Sequence, residues 1–338
     1  MGVDISDLIE SEKIDFNFME DKTLAIDAYN IIYQFLASIR QRDGKPLTDS
    51  EGRITSHLSG LLYRNANLIK SGIKPIYVFD GEPDIMKEKT LEKRKERKDK
   101  AKIEYKKSLK EGDLKKARKK AQQTSRMTKD IEESSKKLLD LLAIPWIQAP
   151  AEGESQAAHI VKNGDAWAVG SQDYDTLLFG TPKLVKNLTV SGRRKMPGSS
   201  NYKKITPELI ELEKVLNELE ITHEQLIDIG ILCGTDYNEG IKGIGPKRGL
   251  KYVKKYDNID AVLKEKGKEI NNLNEIKNIF LNPEVTEEYS IKFAKELGNV
   301  KGFLCEERDF SESRVENALK QYEEGMKKRK QATLSSFD

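Results

Sequence analysis

Cysteine and histidine are scarce in this chain of 338 residues, with two of the first and three of the second. Cys233 and Cys305 stand too far apart for a disulfide framework or a zinc knuckle, and they suit a reducing compartment. His57, His159 and His223 are scattered, so a zinc site is not expected. Long hydrophobic runs are missing too: no apolar stretch approaches the roughly 20 residues that cross a bilayer. No signal-peptide pattern is seen. Met1-Gly2-Val3-Asp4-Ile5-Ser6 matches a myristoylation pattern, but it is short, recurs by chance and has no basic cluster beside it to assist an anchor. No internal repeat is found.

Net charge is also small, +3, but this hides an asymmetry. Lys87 to Lys120 holds seventeen Lys or Arg against seven Asp or Glu, which leaves about −7 for the remainder. One basic segment on an otherwise acidic chain suits a polyanion handled through metal ions.

The acids are concentrated around Ala149 to Asp175, in two tight pairs, Glu152 with Glu154 and Asp173 with Asp175. Pro150 fits the first turn of a helix. Residues two apart do not share a helix face, so the Glu pair is expected to straddle a helix cap. Ala166 to Gly170 is short, apolar and bounded by turn signals, like a buried strand, and Asp173 follows it.

The same ending recurs earlier. Thr23-Leu24-Ala25-Ile26 runs into Asp27, and Pro75-Ile76-Tyr77-Val78-Phe79 runs into Asp80. Helical spacing is expected over Ile31 to Ile39, Ile54 to Lys70 and Ile131 to Leu142, and further strands over Ile144 to Ile147 and Lys183 to Val185. Gln41 to Arg53 and Ser191 to Lys204 read as loops. The alternation predicts an α/β fold with a mostly parallel central sheet flanked by helices.

An acid after one strand is a common turn residue. Three strands with that ending, plus the pairs, form a site beyond the C-terminal ends of a sheet, where ligands bind. Carboxylates so placed need compensation. Oxygen donors with almost no His or Cys nearby select a hard cation, magnesium or manganese.

Lys87 to about Met127 can be helical but lacks a wide apolar face, and its positive charge favours nucleic-acid contact over a merely solvated surface. Lys87 and Arg94 are seven residues apart, about two helical turns, and share a face if this stretch is helical. Leu226 to Leu232 is an apolar helical run followed by Asp236. Gly243-Ile244-Gly245 then opens a second helix carrying Lys247 and Arg248, an arrangement that offers backbone N–H groups to phosphate. The last residues, from Gln331 through Leu334 to Phe337 and Asp338, resemble a detachable peptide with spaced anchors.

At these residues the chain resembles the structure-specific 5′ nucleases, and among them the flap endonucleases. The resemblance rests on Ala25-Ile26-Asp27 with Tyr33-Gln34-Phe35-Leu36, Val78-Phe79-Asp80-Gly81, Glu152-Gly153-Glu154, Ser171-Gln172-Asp173-Tyr174-Asp175, Gly234-Thr235-Asp236-Tyr237 and Gly243 to Gly249, in family order over most of the chain. The short form looks archaeal. The resemblance implies metal ligation by Asp27, Asp80, Glu152, Glu154, Asp173, Asp175 and Asp236. Lys87 and Arg94 would sit at the base of a basic helical arch, and Tyr33 would stack a base. Two Mg2+ ions per site are implied, replaceable by Mn2+, with a K+ ion at a helix-hairpin-helix element over Gly234 to Gly249 that binds DNA through Gly243, Gly245, Lys247 and Arg248.

Expected partners are branched DNA with a 5′ flap and a sliding clamp (PCNA), the clamp held by Gln331, Leu334 and Phe337. Asp338 stands where that peptide usually has a second aromatic residue. A cytoplasmic, nucleoid-associated monomer without membrane contact is implied. The implied organisation is a nuclease domain over 1–86 and 131–255, the arch over 87–130, a helical region over 256–326 and the tail over 327–338.

Two rivals explain less. A phosphatase of small esters accounts for the acids but not for the basic segment or hairpin. A module that recruits proteins to DNA accounts for those two but leaves the acids without a role.

Overall fold

Short apolar runs become the middle of a seven-stranded sheet in the computed structural model, which describes residues 2–82, 84–188, 193–195, 202–294 and 296–335. The strands are β1 (Glu12–Lys13), β2 (Thr23–Asp27), β3 (Lys74–Phe79), β4 (Trp146–Gln148), β5 (Ala168–Gly170), β6 (Lys183–Lys186), β7 (Arg193–Lys195), β8 (Tyr202–Lys204) and β9 (Glu208–Glu211). The sheet order is β1-β9-β6-β5-β2-β3-β4; β7 and β8 pair separately. β6, β5, β2, β3 and β4 are parallel, while β9 runs antiparallel to β6 and to β1.

Thirteen α-helices accompany the strands among the described residues. They are α1 (Ala28–Ser38), α2 (Ser56–Lys70), α3 (Glu88–Lys110), α4 (Leu114–Gln122), α5 (Lys129–Leu141), α6 (Gly153–Lys162), α7 (Asp175–Leu178), α8 (Leu212–Leu219), α9 (His223–Cys233), α10 (Pro246–Tyr256), α11 (Ile259–Lys266), α12 (Leu273–Leu281) and α13 (Glu312–Ser335). No helix among the described residues is long and apolar enough to cross a membrane.

Two-residue alternation assigns each strand side chain to a layer. Leu24, Ile26, Tyr77 and Phe79 join a core built with α1, α2, α5 and α13. Ala25, Ile76, Val78 and Val169 join the opposite core, with α6, α9, α11 and α12. β2 and β5 are neighbours, yet the chain leaves β2 for β3 and reaches β5 only after β4. Helices α1 and α6 therefore depart to opposite faces, and a crevice opens between the C-terminal ends of β2 and β5.

Three expectations change. Pro150 is not in a helix: α6 begins at Gly153, capped by Glu152. Ser191 to Lys204 is not wholly loop, since Arg193–Lys195 pairs antiparallel with Tyr202–Lys204. Lys87 ends a short 3-10 turn and caps α3 rather than lying within it.

Candidate active site

Each acid owes its place to the end of an element. Asp27 closes β2 and caps α1, its Oδ1 accepting the Asn30 N–H at 3.0 Å. Asp80 follows β3, and its Oδ1 accepts the Gly153 N–H at 2.8 Å. This contact explains the glycine between the two glutamates: a Cβ at Gly153 would stand 2.6 Å from that oxygen. Glu154 lies in the first turn of α6. Asp173 follows β5, and Asp175 opens α7 with Oδ1 accepting the Val3 N–H at 2.7 Å. Asp236 sits just beyond α9, where Thr235 and Asn238 hold the turn through an Oγ1–Oδ1 hydrogen bond of 2.9 Å.

Neighbouring acids are bridged. Lys87 donates to Glu152 at 2.5 Å and stands 3.7 Å from Asp236. Arg94 Nη2 donates to both oxygens of Asp236, at 2.5 and 2.6 Å. The Ser171 hydroxyl lies 3.3 Å from Glu154 and 3.5 Å from Asp27. Asn30 Nδ2 donates to Asp173 at 2.9 Å. Among the described residues no three acids already converge as a cage for an ion. The donor set is nonetheless all carboxylate oxygen and short of positive charge, which fits a hard divalent cation.

Burial is the first cause of strain in these charges. Together with Glu152 it pushes the Asp80 carboxyl up to about 6, against the Gly153 N–H and Lys87. Burial, then Asp236 and Asp173, push Asp175 up to about 7 despite the Val3 hydrogen bond. Burial raises Asp27, with Asp80, Asp173 and Glu152 adding to it, and raises Glu154, with Asp175, Asp27 and Asp173 adding to it. Burial of Lys87 favours loss of its proton, but Glu152 and Asp236 outweigh it and hold the ammonium charged.

These shifts carry a stability consequence. Above the ordinary value of 3.8 the unfolded Asp175 has lost its proton, while the folded group keeps it until about 7. Stability contributed by the bound proton is therefore lost as pH rises through this window. The melting temperature of metal-free protein is expected to fall between about pH 4 and pH 7, to recover on adding a divalent cation, and to fall less in Asp175→Asn. Scanning calorimetry of the two proteins checks this; an equal decline in both would exclude Asp175 as its source.

The comparisons with known proteins fit this arrangement. Flap endonuclease 1 of Pyrococcus abyssi is 53% identical over 340 aligned residues, covering 100% of this chain and 98% of that protein. The chain belongs to the flap endonuclease family. Flap endonuclease 1 of Methanosarcina acetivorans is 51% identical, with 94% of each chain covered. The solved flap endonuclease-1 of Methanococcus jannaschii superposes with a TM-score of 0.76 at 42% identity, covering 97% of this chain and 100% of that one. The XPG N-terminal domain matches residues 1–101 and the XPG I-region residues 143–236.

As a flap endonuclease the chain is a structure-specific 5′ nuclease of DNA replication and repair, a phosphodiester hydrolase. The acids expected from the sequence lie within electrostatic reach of one another around the crevice, with Lys87 paired to Glu152 and Arg94 to Asp236. Tyr33 lies off the acid cluster: its hydroxyl accepts the Met127 N–H at 3.2 Å, and Lys98 covers its ring at 4.8 Å from the centroid.

In the turn between α9 and α10 of this flap endonuclease, Gly243 and Gly245 are exposed. Lys247 stands 3.6 Å from Asp7, and Arg248 donates to the Gly243 carbonyl at 2.8 Å. Gln331 and Leu334 have helical backbone at the end of α13; their side chains and Phe337 lie outside the described residues. Sequence reasoning missed Asn30 and Ser171. Asn30 lies three residues after Asp27, so the first-turn spacing was its available signal.

Proposed function

We propose that the acids Asp27, Asp80, Glu152, Glu154, Asp173, Asp175 and Asp236 hold two Mg2+ ions, or Mn2+ in their place, and that the site cuts 5′ flaps and the 5′ ends of DNA at nicks and gaps. The observation that carries this is the gathering of carboxylates within electrostatic reach of one another on both sides of the crevice, with two cations from the basic segment paired to them. When bound, such ions activate a water and stabilise the leaving oxygen of an in-line displacement. Lys87 and Arg94 offset charge on the scissile phosphate as it builds. Tyr33 offers a ring on which any base can stack once Lys98 moves aside.

Selectivity on this reading follows junction shape rather than base edges. Residues 87–130 form the arch, and exposed Lys residues of α3 and α4 meet the flap backbone. The turn at Gly243 and Gly245, with Lys247 and Arg248 on the first turn of α10, meets duplex phosphates, and the Gly234 to Gly249 element would hold a K+ ion. A labelled flap and a small phosphate ester, each assayed with and without magnesium, test the reading. Cleavage of the flap alone supports it. Hydrolysis of the ester alone would make the protein a phosphatase, and binding without cleavage a recruiting module.

Gln331, Leu334 and Phe337 form the sliding-clamp peptide on the same reading. Charged sequence separates them from the acids, so they act independently of cleavage. Deleting 331–338 is expected to leave basal flap cleavage unchanged and to remove stimulation by the matching clamp. Asp338→Phe restores a second aromatic anchor and is expected to tighten clamp binding by calorimetry. Equal affinity of the two versions would mean that the pocket for this anchor goes unused.

A further inference from the structure

Asn30 touches acids from both strands that flank the crevice. Its main-chain N–H donates to Asp27 Oδ1 at 3.0 Å, and its side-chain Nδ2 donates to Asp173 Oδ2 at 2.9 Å. We infer that Asn30 is a positioning residue of the metal site, holding the Asp27 and Asp173 carboxylates in the orientation in which they receive a divalent cation. The inference rests on the reading of those acids as metal ligands.

The direction of the Asn30 amide is fixed by its surroundings. Its Oδ1 accepts from Gln34 Nε2 at 2.7 Å and from the Gln172 N–H at 3.3 Å. A flipped amide would turn its NH2 group toward two donors and its oxygen toward a carboxylate, so only the observed orientation satisfies every group. Gln34 is four residues on, hence on the same side of α1. Ile31, Ile32, Phe35 and Leu36 root that helix in the core. The network therefore ties the end of β5, through Gln172 and Asp173, to a rigid helix that begins at the end of β2.

A neutral donor suits this place. Asp173 raises the proton affinity of Asp27, and the Asn30 N–H opposes this. A lysine would do so more strongly but would also cancel the charge that attracts the metal. An amide steadies the carboxylates and leaves that charge in place. Each acid is gripped firmly through one oxygen; among the described residues the other oxygen of Asp27 meets only the Ser171 hydroxyl, at 3.5 Å. Such supporting contacts tune affinity: their loss typically costs roughly ten- to a hundredfold in metal binding or activity.

The test compares the parent enzyme with Asn30→Leu, Gln34→Leu and the double variant. Three quantities are read: the magnesium concentration giving half the maximal single-turnover flap cleavage, Mn2+ binding to DNA-free enzyme by electron paramagnetic resonance, and flap affinity in calcium. Asn30→Leu is expected to raise the half-saturating magnesium and weaken Mn2+ binding by roughly tenfold or more, with flap affinity unchanged. Gln34→Leu should give a smaller shift in the same direction. Because Gln34 and Asn30 share a hydrogen bond, the double variant should fall short of the sum of the two single effects.

Unchanged metal dependence and Mn2+ binding in Asn30→Leu would overturn the inference. So would a loss confined to flap affinity, which would make Asn30 a DNA contact, or additive effects in the double variant. Should Asn30→Leu fail to fold, Asn30→Ala must show the same displacement. Asp173→Ala separates the two levels. If it still cleaves with magnesium, the metal-site reading fails; if it is inactive while Asn30→Leu matches the parent, only the role of Asn30 fails.

Discussion

Asp173→Ala is expected to lower single-turnover flap cleavage by at least roughly a thousandfold, about 4 kcal/mol of barrier. Asp173 stands at the C-terminal end of β5, oriented by Asn30, and its charge is felt at Asp27, Glu154 and Asp175. On the proposed reading its removal deletes a metal ligand from among the acids whose charges it adjoins. Flap affinity should survive or increase, because a negative charge beside phosphate has gone. Cleavage within about tenfold of the parent would take Asp173 out of the mechanism.

Arg94→Ala is expected to reduce cleavage at saturating enzyme by roughly two orders of magnitude or more, the size lost with one transition-state donor, with little change in flap affinity. Arg94 donates to both oxygens of Asp236, and Lys87 stands 3.7 Å from the same acid, so both cations reach the cluster from the start of α3. Lys115, Lys116 and Lys119 lie on α4 and are exposed, whereas Lys120 is paired with Glu104. Changing these four lysines to Ala should weaken binding and flatten its salt dependence, which scales with the phosphates neutralised, with less effect on saturated cleavage. Most of that change should come from the three exposed lysines. A flap titration across a salt series, followed by single-turnover rates, reads both sets of variants. An Arg94→Ala enzyme that loses affinity while its saturated rate stays intact would remove Arg94 from the scissile phosphate.

Much of the site was legible because its signals are local. A buried strand is a short apolar run, and the residue that leaves it is free to be polar; Asp27, Asp80 and Asp173 all follow such runs. The glutamate pair announced a helix start, although Pro150 misplaced that start by three residues. The proline fixes one backbone angle equally well in the approach to a helix, and here α6 begins only where Gly153 can meet Asp80. The small hairpin of β7 and β8 was missed because its strands are basic and carry no apolar alternation.

Local sequence was enough to place the central strands and the acids that follow them, because helix and strand periods, caps and turn residues act between near neighbours in the chain. Tertiary structure decided which ends meet. The order β5-β2-β3 sets Asp173 and Asp80 on either side of Asp27, and the packing of α3 brings Arg94 to Asp236, 142 residues away. It also decided the role of Asn30, an ordinary helical amide until β5 settles beside β2 and presents Asp173 and Gln172 to it. Strand order and helix docking follow from burying two apolar layers at once, a condition on the whole chain that short-range spacing does not express.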